Sequence, residues 1–428
     1  MRLASANTFD STVSTLTSRQ SALSAQQDRV SAGLRVVKAS DDPISAASAE
    51  RALSRITQLQ ADQRALNVQR NALANAESTL GQAGDLMQRF RELTISAGSG
   101  SKNATDRTTI ANEMTTIREQ LFSLANTRDS NGVYLFSGLE IDQVQGVMTP
   151  AFTTTGAAPN LGYDFNGTSG QNLPTQNAVP FTMDGNDVFM QVPKGNGVYD
   201  ITLGAANTGQ ISTDIGQYSG VVPSNNYQIT FSGTGTATTF SVVDTTNAAT
   251  LVTSAPYTSG QPITFPDPVA FPASTQTLTV TVSGTPGSGD KVNIAPYDDP
   301  TAIPVIGTNF PNTSLFALMD DAINGITATS SSNAGLSQAI SQALTHIDSG
   351  MTKLLAARGQ AGIWLNRADT ITSSNESRSM QLETDRSNAQ DLDMVTGISD
   401  MEKIKTGYQV ALQSYAQIQK LSLFDYIR

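Results

Sequence analysis

Cysteine and histidine are almost missing from this chain of 428 residues, which has no cysteine and a single histidine, His346. The absence of cysteine excludes disulfides, thiolate metal sites and a cysteine nucleophile. One histidine cannot supply a pair of zinc ligands, and a serine–histidine–aspartate triad has no second candidate. We therefore expect His346 to lie at a helix surface or an interface, and we expect no catalytic residue, no metal and no cofactor.

Long apolar runs are missing as well. No stretch approaches the 18 consecutive apolar residues of a membrane-spanning helix, and the N-terminal segment lacks the apolar core of a secretory signal. The sequence therefore predicts no membrane insertion and no cleaved signal peptide. By these criteria alone it is typical of a soluble, cytosol-like protein.

Basic residues are scarce in the middle of the chain. Residues 141–330 hold thirteen aspartates and two lysines but no arginine or glutamate, so the whole net charge of −11 lies there. The two flanks are electrically balanced. Because binding to a phosphate backbone requires a clustered basic face, we expect no nucleic-acid partner.

What the N-terminal segment does have is a seven-residue apolar repeat over residues 10–38. Spacings that alternate between three and four residues are typical of a coiled-coil seam. The apolar residues of this stripe are Val13, Leu16, Leu23, Val30, Leu34 and Val37. Gln20 and Gln27 interrupt it, which weakens the seam and leaves the helix in need of a partner.

The C-terminal segment carries a second stripe with the same spacing. Its residues are Ile404, Tyr408, Ala411, Tyr415 and Ile418. Both terminal segments are rich in small polar residues and offer only thin apolar faces. The two helices could pair with each other, and their outer faces would suit neighbouring subunits, although exposure to solvent is also compatible. We interpret both stripes as an assembly seam.

A break in the helical pattern occurs at Asp41-Asp42-Pro43. Either aspartate can accept hydrogen bonds from the first free amides of a new helix, and proline fits the first helical turn. Proline also disfavours the α conformation in the residue before it. This tripeptide is thus predicted to end one helix, cap the next and act as a hinge.

Further helical repeats are predicted at 56–93, 110–124 and 340–354, with other helices at 313–326 and at about 362–391. Between them, residues 141–310 contain short alternating runs separated by Gly, Pro and Asn, which is typical of antiparallel β structure. Within this region GTPGSGDK (284–291) departs from a phosphate-binding loop and is predicted to connect a hairpin.

The sequence therefore predicts an α+β multidomain protein. Long N- and C-terminal α-helices pair into a coiled coil or helical bundle, and an antiparallel β-rich domain is inserted between them. The expected domains are a terminal coiled coil (1–42 with 392–428), a helical bundle (43–140 with 313–391) and a β-rich outer domain (141–312), which could comprise two subdomains.

Several stretches resemble the bacterial flagellin superfamily. They are SAGLRVVKASDDP (31–43), the helical segments at 71–100 and 106–138, VSGTPGSGDKVNIAP (282–296) and GYQVALQSYAQIQKLSLFDYI (407–427). Asp-Asp-Pro-Ile and the ending FDYI resemble the hook–filament junction members more than the flagellins. The large middle segment and RGQAG (358–362) depart from that pattern.

The resemblance implies a structural subunit without enzymatic activity, exported by the flagellar type III apparatus and located outside the cell at the hook–filament junction. That expectation replaces the cytosol-like one. The implied partners are further copies in a helical ring, hook-associated protein 1 on the hook side, flagellin on the filament side, and an export chaperone at the C-terminal helix. Two alternatives stay open: a flagellin, and a secreted adhesin or enzyme that uses residues 141–310.

Overall fold

The computed structural model describes residues 2–139, 143–144, 147–157, 160–171, 178–196, 198–204, 206–219, 225–266, 277–296, 312–328 and 333–426. The chain divides into two compact units. The terminal unit comprises residues 1–67 and 369–428, and the central unit comprises residues 68–368. The division into three domains at 42/43, 140/141 and 312/313 stays a prediction.

Six α-helices occur in the described part of the chain, and they confirm that both ends are helical. They are α1 (Arg2–Ala32), α2 (Pro43–Ala97), α3 (Ala104–Ala125), α4 (Leu315–Thr327), α5 (Asn333–Gln390) and α6 (Met394–Tyr426). Asn103 caps α3: its side chain accepts a hydrogen bond from Asp106 N, and the Asp106 side chain accepts one from Asn103 N.

The two helices expected at 340–354 and 362–391 are a single helix, α5, so their separation was wrong. Gly359 and Gly362 lie inside it, and each glycine costs a helix interior only about 1 kcal/mol relative to alanine. Ala361 and Ala368 are fully buried on the same helix. Packing along this face therefore outweighs the local weakness that the glycines create.

Helix α1 ends six residues before the end of the predicted repeat. Gly33 adopts a left-handed conformation (φ +69°), which glycine takes without steric cost. Gly33 N donates to Val30 O (3.3 Å) and Leu34 N donates to Arg29 O (3.1 Å), the Schellman pattern that closes a helix. Leu34 and Val37 consequently lie outside α1, and the expectation that they continue its seam was wrong.

Fifteen β-strands are found in the described residues, most of them in the central unit's inserted region, which confirms the antiparallel β prediction. They are β1 (Gln143–Val144), β2 (Val147–Met148), β3 (Phe152–Ala157), β4 (Asn160–Phe165), β5 (Val192–Pro193), β6 (Tyr199–Leu203), β7 (Gln210–Thr213), β8 (Gln217–Ser219), β9 (Tyr227–Ser232), β10 (Thr239–Asp244), β11 (Ala249–Pro256), β12 (Pro262–Pro266), β13 (Thr277–Thr285), β14 (Lys291–Pro296) and β15 (Asn312–Thr313).

Two antiparallel sheets form a sandwich in the central unit. One has the strand order β11-β10-β9-β14-β6, and the other has the order β12-β13-β7 with β8 also pairing with β13. Alternate residues of these strands point inward. The sandwich core is built from both sheets and includes Tyr199, Ile211, Tyr227, Phe231, Val242, Phe265, Val280 and Ile294.

The segment 286–290 does not connect a hairpin, because β13 and β14 belong to different sheets. The prediction of a hairpin at GTPGSGDK was therefore wrong. Asp290 fixes this passage between the sheets: its buried carboxylate accepts hydrogen bonds from Gly287 N (2.7 Å), Thr208 N (2.7 Å) and Gly209 N (3.0 Å). The contacts with Thr208 and Gly209 are distant in sequence and left no local signal.

The β3–β4 hairpin packs against helices of the central unit. Phe316 of α4 lies 5.1 Å from Phe122 of α3, 5.2 Å from Tyr163 of β4 and 6.0 Å from Phe152 of β3, measured between ring centroids. Tyr163 Oη donates to Asp320 Oδ2 (2.6 Å) and accepts from Arg118 Nη1 (2.6 Å). A dense aromatic cluster thus joins α3, α4 and the hairpin.

Candidate assembly interface

Within the terminal unit, α1 and α6 contact each other. The predicted seam residues of these two helices are only half-buried: Leu16, Leu23, Val30, Ile404, Tyr408, Ala411 and Tyr415. Val13 is 39% exposed. The side chain of Ile418 lies outside the described residues. Pairing of the two helices therefore buries each stripe incompletely, and apolar area remains available for a neighbour.

The two seam residues beyond α1 occupy different positions. Leu34 is half-buried and forms an isolated antiparallel bridge with Asp391, whereas Val37 is 39% exposed. Val36, which the repeat did not include, is buried. Once the chain leaves the helix at Gly33, the helical spacing no longer determines which side chain points inward. The glycine at position 33 was the signal that could have indicated this.

Main-chain and side-chain hydrogen bonds connect the end of α1 and the residues after it to the end of α5 and the start of α6. Leu392 N donates to Gly33 O (3.0 Å), and Arg35 N donates to Gln390 O (2.8 Å). The buried Gln26 donates through Nε2 to Gly397 O (3.0 Å). Sequence reasoning missed Gln26 and Arg35 because their acceptors are backbone atoms more than 350 residues away.

The Asp41-Asp42-Pro43 turn lies at the start of α2, whose first residue is Pro43. Asp42 Oδ1 accepts from Ser45 N (3.1 Å), which satisfies one of the free amides of the first turn. Asp41 Oδ2 instead accepts from Lys38 N (3.2 Å) in the loop before the helix. Hydrogen bonds from Ser45, with a smaller contribution from Arg35, lower the pKa of Asp42 to about 2.

Arg35 connects this turn to the end of α5. Its Nη1 lies 3.2 Å from Asp42 Oδ2, and its Nη2 donates to Ala389 O (2.7 Å) and Ser45 Oγ (3.1 Å). One guanidinium thus bonds to the Asp42 side chain, to the first turn of α2 and to the end of α5, which its fixed fork of donors allows. The side chain remains partly exposed, so these bonds form at the surface of the terminal unit.

Large apolar side chains remain exposed elsewhere in the terminal unit. They are Ile44, Leu53, Met380, Met394, Val395, Ile398, Val410 and Leu412. Val395, at 80% exposure, and Ile44, at 78%, are the most exposed of them. An exposed apolar surface of this kind can bind the apolar surface of another molecule.

The parts of the chain that the structure describes contain no group of three or more metal-ligating side chains. Nor does any helix in those parts have the length and apolar character needed to cross a bilayer.

Comparison with known families identifies the class of protein to which this architecture belongs. The model of the bacterial flagellin N-terminal helical region matches residues 5–140, and that of the flagellin C-terminal helical region matches residues 344–427. Together these matches cover half of the chain. The chain belongs to the bacterial flagellin family.

Within that family the chain is similar to hook-associated proteins. It is 33% identical to flagellar hook-associated protein 3 of Salmonella typhimurium over 144 residues, which is 33% of this chain and 45% of that protein. The match thus spans less than half the length of this relative. The chain is also 30% identical to flagellin 1 of Proteus mirabilis over 138 residues, which cover 32% of this chain and 38% of that one.

A solved structure matches a larger part of the chain. The crystal structure of the flagellar junction protein FlgL from Legionella pneumophila superposes with a TM-score of 0.61 at 27% sequence identity. The match covers 75% of this chain and 99% of that one.

Proposed function

We propose that this protein is a structural, non-enzymatic subunit of the bacterial flagellum that joins the hook to the filament. The single observation that carries the proposal is the half-buried seam between α1 and α6, at the two ends of the chain where it matches the flagellin family. Pairing the two helices leaves apolar area on both, and further copies would cover it.

Copies of the chain polymerise through these terminal helices in a helical array. A narrow stripe interrupted by Gln20 and Gln27 buries too little apolar area to offset the cost of ordering a long helix. Neighbouring subunits add the missing buried area. Contacts in such an array run head to tail and need not close into a ring, so the array has two unlike axial ends.

The unlike ends meet different partners. Hook-associated protein 1 is the partner on the hook side, and flagellin is the partner on the filament side. An export chaperone covers the α6 stripe, from Ile404 to Ile418, until the chain has passed through the flagellar type III apparatus. Similarity to a flagellar hook-associated protein and to a flagellar junction protein supports a place for this chain at the junction.

A flagellin is the second candidate, and the match to the Proteus mirabilis protein favours it. The copy number and the position of the protein on the organelle distinguish a junction subunit from a flagellin. An antibody against the β-sandwich, used in immuno-electron microscopy, should mark one short zone at the base of each filament if the protein is a junction subunit. Labelling along the whole filament would replace the junction assignment with a filament subunit.

Substitution of Val30 by aspartate tests the seam. A charge in this half-buried stripe should abolish assembly at the junction, because a buried unpaired carboxylate is costly, while the central unit keeps its near-ultraviolet circular dichroism. The matched control is Ser24→Asp, which places the same charge on the exposed side of α1 and should assemble normally. Normal filaments from cells that make only the Val30→Asp protein would refute the proposal that this stripe is an assembly interface.

The turn at Asp41-Asp42-Pro43 is proposed to act as a hinge between α1 and α2. Replacing Pro43 with alanine allows Asp42 to adopt the α conformation that proline disfavours. Assembly or swimming should then be impaired. Unchanged assembly and motility of the Pro43→Ala strain would remove the support for a hinge.

A further inference from the structure

Three polar side chains lie on one face of α5 in the central unit. Gln338, Gln342 and His346 are four residues apart, so one helical face carries all three. Gln338 and His346 are more than nine-tenths buried. A buried face of a helix normally carries apolar residues, so this polar row requires a structural account.

Each of the three side chains bonds to the main chain of the inserted β region. Gln338 Oε1 accepts from Thr213 N (2.6 Å), Gln342 Nε2 donates to Ile201 O (2.7 Å), and His346 Nε2 accepts from Gly195 N (3.0 Å). Thr213 ends β7, Ile201 lies within β6, and Gly195 precedes β6. The helix therefore holds the sandwich at its first strands through a row of three hydrogen bonds.

The contact between α5 and the sandwich leaves buried polar atoms without hydrogen-bond partners in the described part of the chain. Gln338 Nε2 and Thr213 Oγ1 are buried and form no hydrogen bond with any residue that the structure describes. Buried polar atoms without a partner destabilise the state that buries them. The sandwich, in contrast, has its own apolar core built from both sheets. Separation from α5 would therefore expose polar groups to water while leaving the sandwich core intact.

The His346 bond depends on the protonation state of the imidazole. Nε2 can accept from Gly195 N only while it carries no proton, and in the protonated ring both nitrogens are donors. Burial, reinforced by the positive charge of Lys194 and opposed by Asp321, lowers the pKa of His346 to about 4. The neutral imidazole is thus the form that fits the folded site.

The charged groups around the imidazole come from three neighbouring segments. Lys194, before β6, pairs with Asp321 of α4 (Nζ–Oδ2 3.1 Å). Asp200 of β6 and His346 both line a cavity of about 270 Å³. A proton on His346 would place a second positive charge near Lys194, in a site where Asp321 is already paired.

We propose that His346 is an acid-sensitive latch between α5 and the β-sandwich: protonation of its imidazole breaks the bond from Gly195 N and releases the sandwich from α5, while the helices and the sandwich stay folded. The inference concerns the single chain, so it goes beyond the proposed function and does not rest on it.

The test measures a distance across the latch in the full-length chain. Because the chain has no cysteine, Ser341→Cys on α5 and Ser232→Cys on β9, both at exposed positions, can be spin-labelled specifically. Double electron–electron resonance should give one narrow distance distribution near neutral pH. A second, longer population should grow as the pH falls through about 4, in step with the imidazole titration followed by NMR.

Two variants separate the latch from general acid sensitivity. His346→Gln keeps an acceptor oxygen that does not titrate, so the opening midpoint should fall by at least about one pH unit. His346→Phe has no acceptor and should show the longer population already at neutral pH. Thr345→Ala, which removes only a hydrogen bond within α5, is the matched control and should behave like the parent chain.

Three results would overturn the proposal. The distance distribution could stay narrow through the complete titration of His346. The Gln variant could open at the same pH as the parent chain. Far-ultraviolet circular dichroism could lose its helical signal at the pH of opening, which would mean global unfolding and not release of one contact.

Discussion

The central and terminal units differ in how their side chains are buried. Among the described residues, nearly all of the largest fully buried side chains belong to the central unit: Tyr199, Tyr227, Phe90, Phe136, Phe152, Phe189, Phe231, Phe265, Phe316, Leu73 and Leu80. Leu66 is the exception, since it lies in the terminal unit. The seam residues of the terminal unit, such as Leu23 and Tyr408, remain half-exposed.

This difference separates two ways of stabilising structure. A closed core removes apolar area from water within one chain, whereas a half-buried stripe gains the rest of its burial only from another surface. The aromatic cluster around Phe316 is complete in the monomer. The α1–α6 pair leaves its apolar stripes only half-buried, and the exposed Val395 and Ile398 at the start of α6 extend its apolar surface.

The largest effect is expected from emptying the central core. Phe316 is fully buried among Phe122, Tyr163 and Phe189, so Phe316→Ala should lower the free energy of unfolding of the central unit by about 3–5 kcal/mol. Urea unfolding followed by near-ultraviolet circular dichroism measures this loss. Leu355→Ala, at a position 60% exposed, is the control and should change it by less than about 0.5 kcal/mol. Similar losses from both substitutions would contradict a closed core.

A smaller effect is expected from the same kind of truncation in the seam. Leu23 is half-buried, so Leu23→Ala should destabilise the unassembled chain by at most about 1 kcal/mol, read from hydrogen exchange of α1 amides. Leu66→Ala, at a fully buried position in the same unit, should cost about 2–5 kcal/mol. Equal losses from the two substitutions would mean that the single chain already buries the apolar stripe of α1. Slow hydrogen exchange throughout both terminal helices of the monomer would refute the proposal that these helices become ordered on assembly.

The smallest effect concerns the cap of α2. The pKa of Asp42 is lowered from 3.8 to about 2, so its contribution is complete above pH 3.8 and is lost as the pH falls through about 2. Exchange protection of the Ser45 amide should fall over that range. Asp42→Asn keeps an acceptor oxygen but no titrating charge, and its protection should not change with pH. A pH-dependent Asn variant would assign the effect to another group.

Much of the secondary structure was predictable from the sequence. The heptad stripes located α1, α2, α3 and α6, and the TSLFALMDDAINGI segment located α4, because helical periodicity is a local property. The alternating runs located strands such as β13, in which Leu278, Val280 and Val282 point inward. These patterns fixed the α+β class, and the matches to both flagellin regions confirm the family that the terminal motifs resemble.

The contacts that join distant segments were not predictable in this way. His346 was expected at a helix surface or an interface, and it is a buried acceptor for Gly195 N. The spacing of Gln338, Gln342 and His346 is visible in the sequence, but their partners are backbone atoms, which carry no residue-specific signal. Arg35 gave no signal for the same reason, since it binds Ala389 O.

By itself, the sequence determined which segments are helical, which alternate as strands, and that the apolar stripes at both ends are thin. These properties depend on residues within a few turns of one another. Only the tertiary structure decided that α5 continues through Gly359 and Gly362 and that β13 and β14 belong to different sheets. Each of those outcomes depends on packing and hydrogen bonds between distant segments, whose free energies exceed local preferences of about 1 kcal/mol.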